Sequence, residues 1–237
     1  MRITFRFRFI PFVAAAIAVA VGLSLAQWQT RRATEKIELA EKLQERQSAL
    51  PIRLGAALPD GESLEFRRVL VKGEFLRDWP VYLDNRPNNG VAGFYLLMPF
   101  KIVGSDRYVL VARGWIPRNV SDRTKVPVIA TPDGVIEIEG VARQSIGQVM
   151  QLGEVDAPRP HAIVQNLDIA SFAASSKLAM QPIFLEQLSD THDGLVRDWP
   201  LPSTGVEKHR GYAFQWYALA AMAFIFFVVT GIRRGKK

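Results

Sequence analysis

His209 stands at the head of the chain's last apolar stretch, which covers 211–232 and is long enough, at about 20 residues, for an α-helix to cross a bilayer. Stepping about 100° per residue from His209 places Tyr212, Ala213, Trp216, Ala220 and Ala223 within about 60° of its meridian. A face with an imidazole, two aromatic rings and three small residues could seat a flat ligand between helices, offering a ring nitrogen to a metal. Haem iron accepts histidine in this way. The competing reading is an interfacial collar. Lys208, His209 and Arg210 would then be headgroup-level polar residues, and Tyr212, Trp216 and Tyr217 an aromatic belt. Gln215 would be a helix–helix hydrogen-bonding group. The residues alone leave both readings open.

Elsewhere the chemistry is thin. The sequence has no phosphate-cradling glycine loop, no G-x-S-x-G elbow, no H-E-x-x-H pair and no cysteine. Its three histidines, His161, His192 and His209, are scattered. "DTHD" at Asp190–Asp193 reads as a solvated turn rather than a metal site. Asp84, Asn85 and Arg86 in "LDNRPNNG" could be polar site residues, but turn chemistry explains them equally well. No nucleophile and base pair up, so the expectation is a protein without catalytic activity.

A ligand held between helices needs a partner helix. Phe9 to Ala26, "FIPFVAAAIAVAVGLSLA", supplies about 18 uncharged residues, more than the about 7–15 of a signal-peptide apolar core. "SLA" at 24–26 would suit a signal peptidase, but Trp28, Arg31 and Arg32 follow as the collar of a retained span. Ala14, Ala18, Gly22 and Ala26 recur every four residues, a ridge that admits a close helix neighbour. The formal charge of +7 points to the membrane rather than to nucleic acid. Arg2, Arg6 and Arg8 precede the first span, and Arg233, Arg234, Lys236 and Lys237 follow the second. Without these tails the chain has 23 basic against 23 acidic residues, so the domain between carries no net basic charge. Local counts of Lys and Arg beside the spans do not decide orientation. Long loops translocate largely regardless of charge, so the short basic tails point to cytoplasmic termini and a periplasmic domain.

Between the spans two textures follow one another. "TRRATEKIELAEKLQERQSAL" is rich in helix formers, with Glu38 and Lys42 in the favourable i,i+4 order, and Pro51 ends it. From Leu64 to Gln187 come short β-type runs such as "FRRVLVKGEF", "YVLVARGWIP" and "VIEIEGVAR", punctuated by turn residues. One helix, "LDIASFAASSKLAM", can start at an Asp168 cap. The expected fold class is a membrane protein, two transmembrane α-helices flanking a mainly β (α+β) extramembrane domain, an antiparallel sheet curled towards a barrel. The expected divisions are a cytoplasmic tail over 1–8, a transmembrane helix over 9–26, a helical extension over 27–50, a periplasmic β-rich domain over 51–208, a second transmembrane helix over 211–232, and a basic tail over 233–237.

Taken in order, these pieces resemble the surfeit locus protein 1 family of cytochrome c oxidase assembly factors. "WQTRRATEK", through Trp28, Gln29, Arg32 and Lys36, resembles the family's segment after its first span, and "FRRVLVKGEF" its first strand. "LDNRPNNGVAGFYLLMPF", with Asp84, Arg86 and Gly93, and "VLVARGWIP", with Arg113, Gly114 and Trp115, resemble its central signature. "HRGYAFQWYALA", with His209 and Gln215, resembles the opening of its second span. Ala26 and Ala112 depart from residues the family often uses. The resemblance implies a bacterial inner-membrane protein with haem a as a transiently bound cofactor. It implies the oxidase catalytic subunit as partner, haem a synthase as a possible second, and no nucleic acid. His209 would be the axial ligand to the haem iron, Tyr212 and Trp216 would flank the macrocycle, and Trp28, Arg31 or Arg32 would meet its propionates. The alternative is a haem-free membrane scaffold that stabilises an oxidase subunit.

Overall fold

The computed structural model describes residues 3–57, 60–122, 124–150, 157–200 and 205–234. Arg2, the side chains of Arg233 and Arg234, and Lys236 and Lys237 lie outside that description, as do 58–59, 123, 151–156 and 201–204 within the expected 51–208 domain. Two compact units emerge: residues 1–43 with 202–237, and residues 44–201.

In chain order the elements are β1 (Ile3–Phe5), α1 (Phe9–Ser48), β2 (Ile52–Arg53), α2 (Gly61–Leu64), β3 (Arg68–Phe75), β4 (Val81–Leu83) and β5 (Gly93–Ile102). There follow β6 (Arg107–Pro117), β7 (Ile136–Arg143), β8 (Ile163–Val164), α3 (Ile169–Ser176), β9 (Ala179–Gln187), α4 (Val206–Gly231) and β10 (Ile232–Arg234).

The second unit is a closed five-stranded barrel in the order β3-β7-β9-β6-β5, with β3 pairing back onto β5. Four of its five pairings are antiparallel, and β6 with β9 is parallel. An odd number of strands cannot alternate direction all the way round a ring, so one like-directed pair is a geometric necessity. Closure needs close backbone approach at Gly73, where a β-carbon would sit 2.0 Å from the Lys101 carbonyl oxygen. Only glycine fits there. The interior is filled by alternate residues, among them Val69, Val71, Phe94, Leu96, Phe100, Val109, Val111, Ile138 and Leu185. The opposite face of β5 and β6 is covered too. Leu97, Leu110 and Ala112 pack with Phe172 of α3, which is why "YVLVARGWIP" reads as an unbroken apolar run rather than an alternating one. Asp168 caps α3 by accepting a hydrogen bond from the Ser171 amide at 2.8 Å.

The first unit pairs α1 with α4. Both are long and apolar enough to cross a membrane. Only 11% of the most apolar window of either helix is buried, and residues such as Ile10, Phe214 and Phe226 face outward. That is what a hydrocarbon solvent requires, and it is unlike a core helix of a water-soluble fold. The covered positions on α1 include Ala15, Val19, Gly22, Ala26, Gln29, Ala33 and Lys36; those on α4 include His209, Ala213, Trp216, Ala220, Ala223 and Phe227. The spacing alternates three and four, the period of a left-handed helix pair. The expected ridge of Ala14, Ala18, Gly22 and Ala26 is therefore corrected. Gly22 and Ala26 lie in the seam, whereas Ala14 and Ala18 are exposed, because a strict four-residue row drifts about 40° per step around the helix. A β-carbon on Gly22 would come 2.9 Å from that of Ala220 and 3.2 Å from the Trp216 carbonyl oxygen, so backbone meets backbone at this level.

The chain has no cysteine, which makes the seam testable. Ala26→Cys combined with Ala213→Cys, two buried seam residues between the Gly22–Ala220 and Gln29–His209 levels, is expected to form an intramolecular disulfide on mild oxidation, read as a mobility shift reversed by reductant. Ala26→Cys with Gly211→Cys, which points to the far side of α4, is expected not to. Equal cross-linking of both pairs would contradict the seam.

Candidate functional site

Where the two helices leave their apolar stretches, one polar contact joins them. His209 Nδ1 lies 2.7 Å from Gln29 Oε1. An amide oxygen accepts and cannot donate, so Nδ1 carries a hydrogen, and in the neutral form of the ring the lone pair lies on Nε2. His209 is in the first turn of α4, after the Gly205 cap, and is half-buried. Gln215, expected as the helix–helix hydrogen-bonding group, is exposed; the bond is made by Gln29 instead.

Beside the seam runs an open apolar groove of about 560 Å³, lined by Ala18, Val21, Gly22, Trp216, Leu219, Met222, Ala223 and Phe226. Small residues form its floor and large ones its walls. The helical rotation tells which polar groups share its side. Trp28 and Arg32 fall about 100° and 60° from Gln29, on the flank where Val21 lines the groove. On α4, Lys208, Tyr212 and Gln215 fall on the matching flank with Leu219 and Phe226. Arg31 lies about 160° from Gln29 and faces away from α4. Two of the three expected α1 residues thus gather with Tyr212, Trp216 and His209, and Arg31 does not. Lys208, which was expected only to be a headgroup-level cation, joins the groove side.

The rim is adjustable. The Arg32 guanidinium stands 5.9 Å over the Trp28 ring and pairs with Glu35 at 2.8 Å, with both side chains about half exposed. An exposed pair of this kind contributes about 0–1 kcal/mol, so Arg32 can exchange Glu35 for another carboxylate at little cost. Among the described residues no group of three or more His, Asp or Glu could hold a metal ion. A lone imidazole whose Nδ1 is engaged by Gln29, beside an apolar groove and below two cations, suits a group that brings its own remaining metal ligands. Haem is such a group, and the residues present fit it.

The motif residues of the barrel serve the fold. Leu96 pairs with Gly114 and Leu97 with Ala112, which leaves Arg113 as the extra residue of a bulge. Its side chain, 0% exposed, donates to Asp193 at 2.7 Å, Thr131 Oγ1 at 2.7 Å and the Ala130 carbonyl at 2.9 Å. Arg197 donates to both oxygens of Asp193 at 2.7 Å. The expectation of a solvated turn at Asp190–Asp193 is corrected accordingly. His192 is 91% exposed, but Asp193 is 1% exposed, a buried anion whose partner is 80 residues away in sequence. Burial raises the Asp193 carboxyl pKa; hydrogen bonds from Thr191 and Arg197 outweigh that and hold it below the ordinary carboxylate value.

The rest of "RGW" receives the same returning segment. A β-carbon on Gly114 would meet Leu195 at 2.6 Å, and Trp115 exchanges backbone hydrogen bonds with Val196 at 2.7 and 2.9 Å. The Trp115 indole fills the space over Gly93 and donates to the Arg86 carbonyl at 2.6 Å. Arg86 is itself buried and binds the carbonyls of Asp84, Gly147 and Gln165. Asp84 accepts from the Asn85 amide at 2.7 Å. Arg113, Gly114, Trp115, Arg86, Gly93 and Asp84 thus weld loops to the barrel.

Known proteins bear on this arrangement. The profile described as "SURF1 family" matches residues 16–221. A SURF1-like protein of Rickettsia felis is 28% identical over 220 residues, covering 90% of this chain and 93% of the relative. A SURF1-like protein of Rickettsia bellii is 30% identical over 212 residues, covering 86% and 84%. Surfeit locus protein 1 of Rattus norvegicus is 26% identical over 227 residues, covering 88% and 72%.

Asp193→Ala is expected to destabilise the full chain by about 3–5 kcal/mol, because it leaves the buried Arg113 charge unpaired. Asp190→Ala, at an exposed carboxylate, should fall within about 0.5 kcal/mol of the parent. Urea unfolding in detergent, followed by tryptophan fluorescence, reads both. The sign with pH follows from the lowered carboxyl value. The contribution of ionised Asp193 is fully present above the unfolded value of about 3.9 and is lost as pH falls through the lower folded value.

Proposed function

The chain belongs to the SURF1 family, a family of cytochrome oxidase assembly factors, and on that premise we propose that it holds haem a at the periplasmic surface of the bacterial inner membrane and aids its insertion into the oxidase catalytic subunit. Both termini are cytoplasmic in this reading, and the barrel is periplasmic. The observation that carries it is the Gln29–His209 pair, which leaves Nε2 free at the head of an apolar groove with cations on the same flank.

Each residue then has a defined task. His209 offers Nε2 as axial ligand. Tyr212 and Trp216 flank the macrocycle, and Trp28 covers its edge from α1. Arg32 and Lys208, one from each helix, neutralise the two propionates, and Arg32 can do so with two parallel hydrogen bonds. The groove wall of Val21, Leu219, Met222 and Phe226 takes the long apolar side chain that distinguishes haem a from haem b. The bound haem supplies the iron centre that the oxidase will use. The protein supplies a reversible seat, since one histidine and a groove open to lipid leave the ligand an exit. The barrel, whose motif residues are occupied with one another, has no nucleophile–base pair among its described residues and is assigned to partner contact. Haem a synthase is a second possible partner.

His209→Ala, purified from cells that make haem a, is expected to retain at least tenfold less haem while keeping the circular dichroism of the parent. Undiminished haem with an unchanged absorption spectrum would remove the ligand role of His209, whereas a haem-free variant that still co-purifies with the oxidase subunit would favour the haem-free scaffold. Arg32→Ala and Lys208→Ala are each expected to weaken haem retention about tenfold, in keeping with about 1.5 kcal/mol for a charge-assisted bond. Arg31→Ala is expected to change it less than twofold.

A further inference from the structure

We propose that Gln29 is a positioning residue for His209: it fixes the imidazole as its Nδ1–H tautomer, orients the ring, and sets the strength with which Nε2 can bind a metal. The inference rests on the haem reading above and goes one step beyond it, by assigning the control of the ligand to a residue on the other helix.

The observation is the 2.7 Å contact between His209 Nδ1 and Gln29 Oε1 across the seam. Three features make it more than a packing coincidence. Gln29 is the one polar residue among the covered α1 positions from Ala15 to Ala33, all the others being apolar. The bond lies in the same row as the tightest backbone approach, at Gly22 and Ala220, so the distance between the two side chains is set by the helices and not by loop freedom. The atom that it occupies is Nδ1, which leaves Nε2 as the nitrogen that would take a metal. A neutral imidazole can give only one nitrogen to a metal, and a free imidazole distributes its proton between two tautomers. An acceptor held on Nδ1 removes that choice before the ligand arrives.

The chemical consequence is graded. A histidine that binds a metal almost always donates its other N–H to an acceptor, which fixes the ring and raises the basicity of the ligating nitrogen. Carboxylate acceptors in that position push more electron density onto the imidazole than a neutral amide does. A glutamine therefore gives a directed ligand of moderate strength. That suits a carrier, which must bind the haem and then yield it. It also explains a residue that the collar reading leaves without a purpose: an interfacial histidine in a headgroup layer has water to bond with and needs no dedicated partner on another helix.

The test uses full-length protein in detergent, loaded with haem a in the cell, and compares Gln29→Leu, Gln29→Glu and His209→Ala with the parent. Gln29→Leu removes the acceptor and keeps the volume; haem affinity is expected to fall about 10–100-fold, and the iron–histidine stretching band in the ferrous resonance Raman spectrum to move to lower frequency. Gln29→Glu keeps the acceptor and adds charge. It is expected to restore retention, raise that frequency above the parent's and shift the haem midpoint potential to more negative values. A purely structural role for Gln29 would lower haem content in both variants and leave the frequency of whatever haem remained unchanged. That outcome overturns the proposal, and so does parental affinity with a parental frequency in Gln29→Leu. Should Gln29→Leu fail to fold, the direction of the Gln29→Glu shifts decides alone. His209→Ala separates the two layers: if it still holds haem with the parental spectrum, the ligand role of His209 fails. If it is empty while both Gln29 variants match the parent, only the positioning role fails.

Discussion

The distance between α1 and α4 governs everything else in the membrane unit. Lipid tails are as apolar as leucine, so two apolar helices gain nothing from the hydrophobic effect when they meet, and association depends on packing and on interhelical hydrogen bonds. Gly22, Ala26 and Ala33 on one side and Ala213 and Ala220 on the other permit that packing, with the helices so close that a single methyl group at Gly22 would collide. Two results follow from the closeness. Gln29 reaches His209 directly, without a water or a longer side chain. Large residues stand on the flank of the seam, where Val21, Leu219, Met222 and Phe226 wall a groove with a floor of Ala18, Gly22 and Ala223. The Gln29–His209 contact and the groove are thus two products of one packing choice.

In the barrel the corresponding constraint is charge burial. Arg113 and Asp193 are both withdrawn from water, an arrangement that is tolerable because each is paired: Arg113 through its two terminal nitrogens by Asp193, Thr131 and Ala130, with its Nε left without a partner, and Asp193 by Arg113, Arg197, Thr191 and the Leu195 amide. The bulge at Arg113 aims the guanidinium, and Gly114 and Trp115 take up the chain on either side of Leu195. A set of residues that looks like a site in the sequence is in fact a clamp that fixes the 193–197 segment to β6.

What the sequence made legible were features set by local composition. The two spans, the cap at Asp168, the end of the long helix before Pro51 and the alternation of Val69, Val71 and Gly73 all follow from neighbours a few residues apart. What it hid were pairings across distance. Nothing near "DTHD" reports that Asp193 will meet an arginine 80 residues earlier, so a turn full of polar residues read as solvated. The parallel β6–β9 pair comes from the strand count of a closed ring, which short β-runs do not disclose. The every-four ridge was plausible because alanine is abundant in α1, but the true seam needs the period of a helix pair, and that exists only once the partner is placed. Gln29 was visible as a motif residue; its task was not, because the atom it serves is 180 residues away.

The central claim is that one imidazole of this chain, that of His209, binds iron. The direct measurement is electron–nuclear double resonance on oxidised, haem-a-loaded protein whose histidines alone carry nitrogen-15, in a form with His161→Gln and His192→Gln so that a single labelled imidazole remains. The account predicts a nitrogen-15 hyperfine coupling at the iron, distinct from the nitrogen-14 signals of the macrocycle. A loaded protein that shows macrocycle nitrogens and no nitrogen-15 coupling would contradict it.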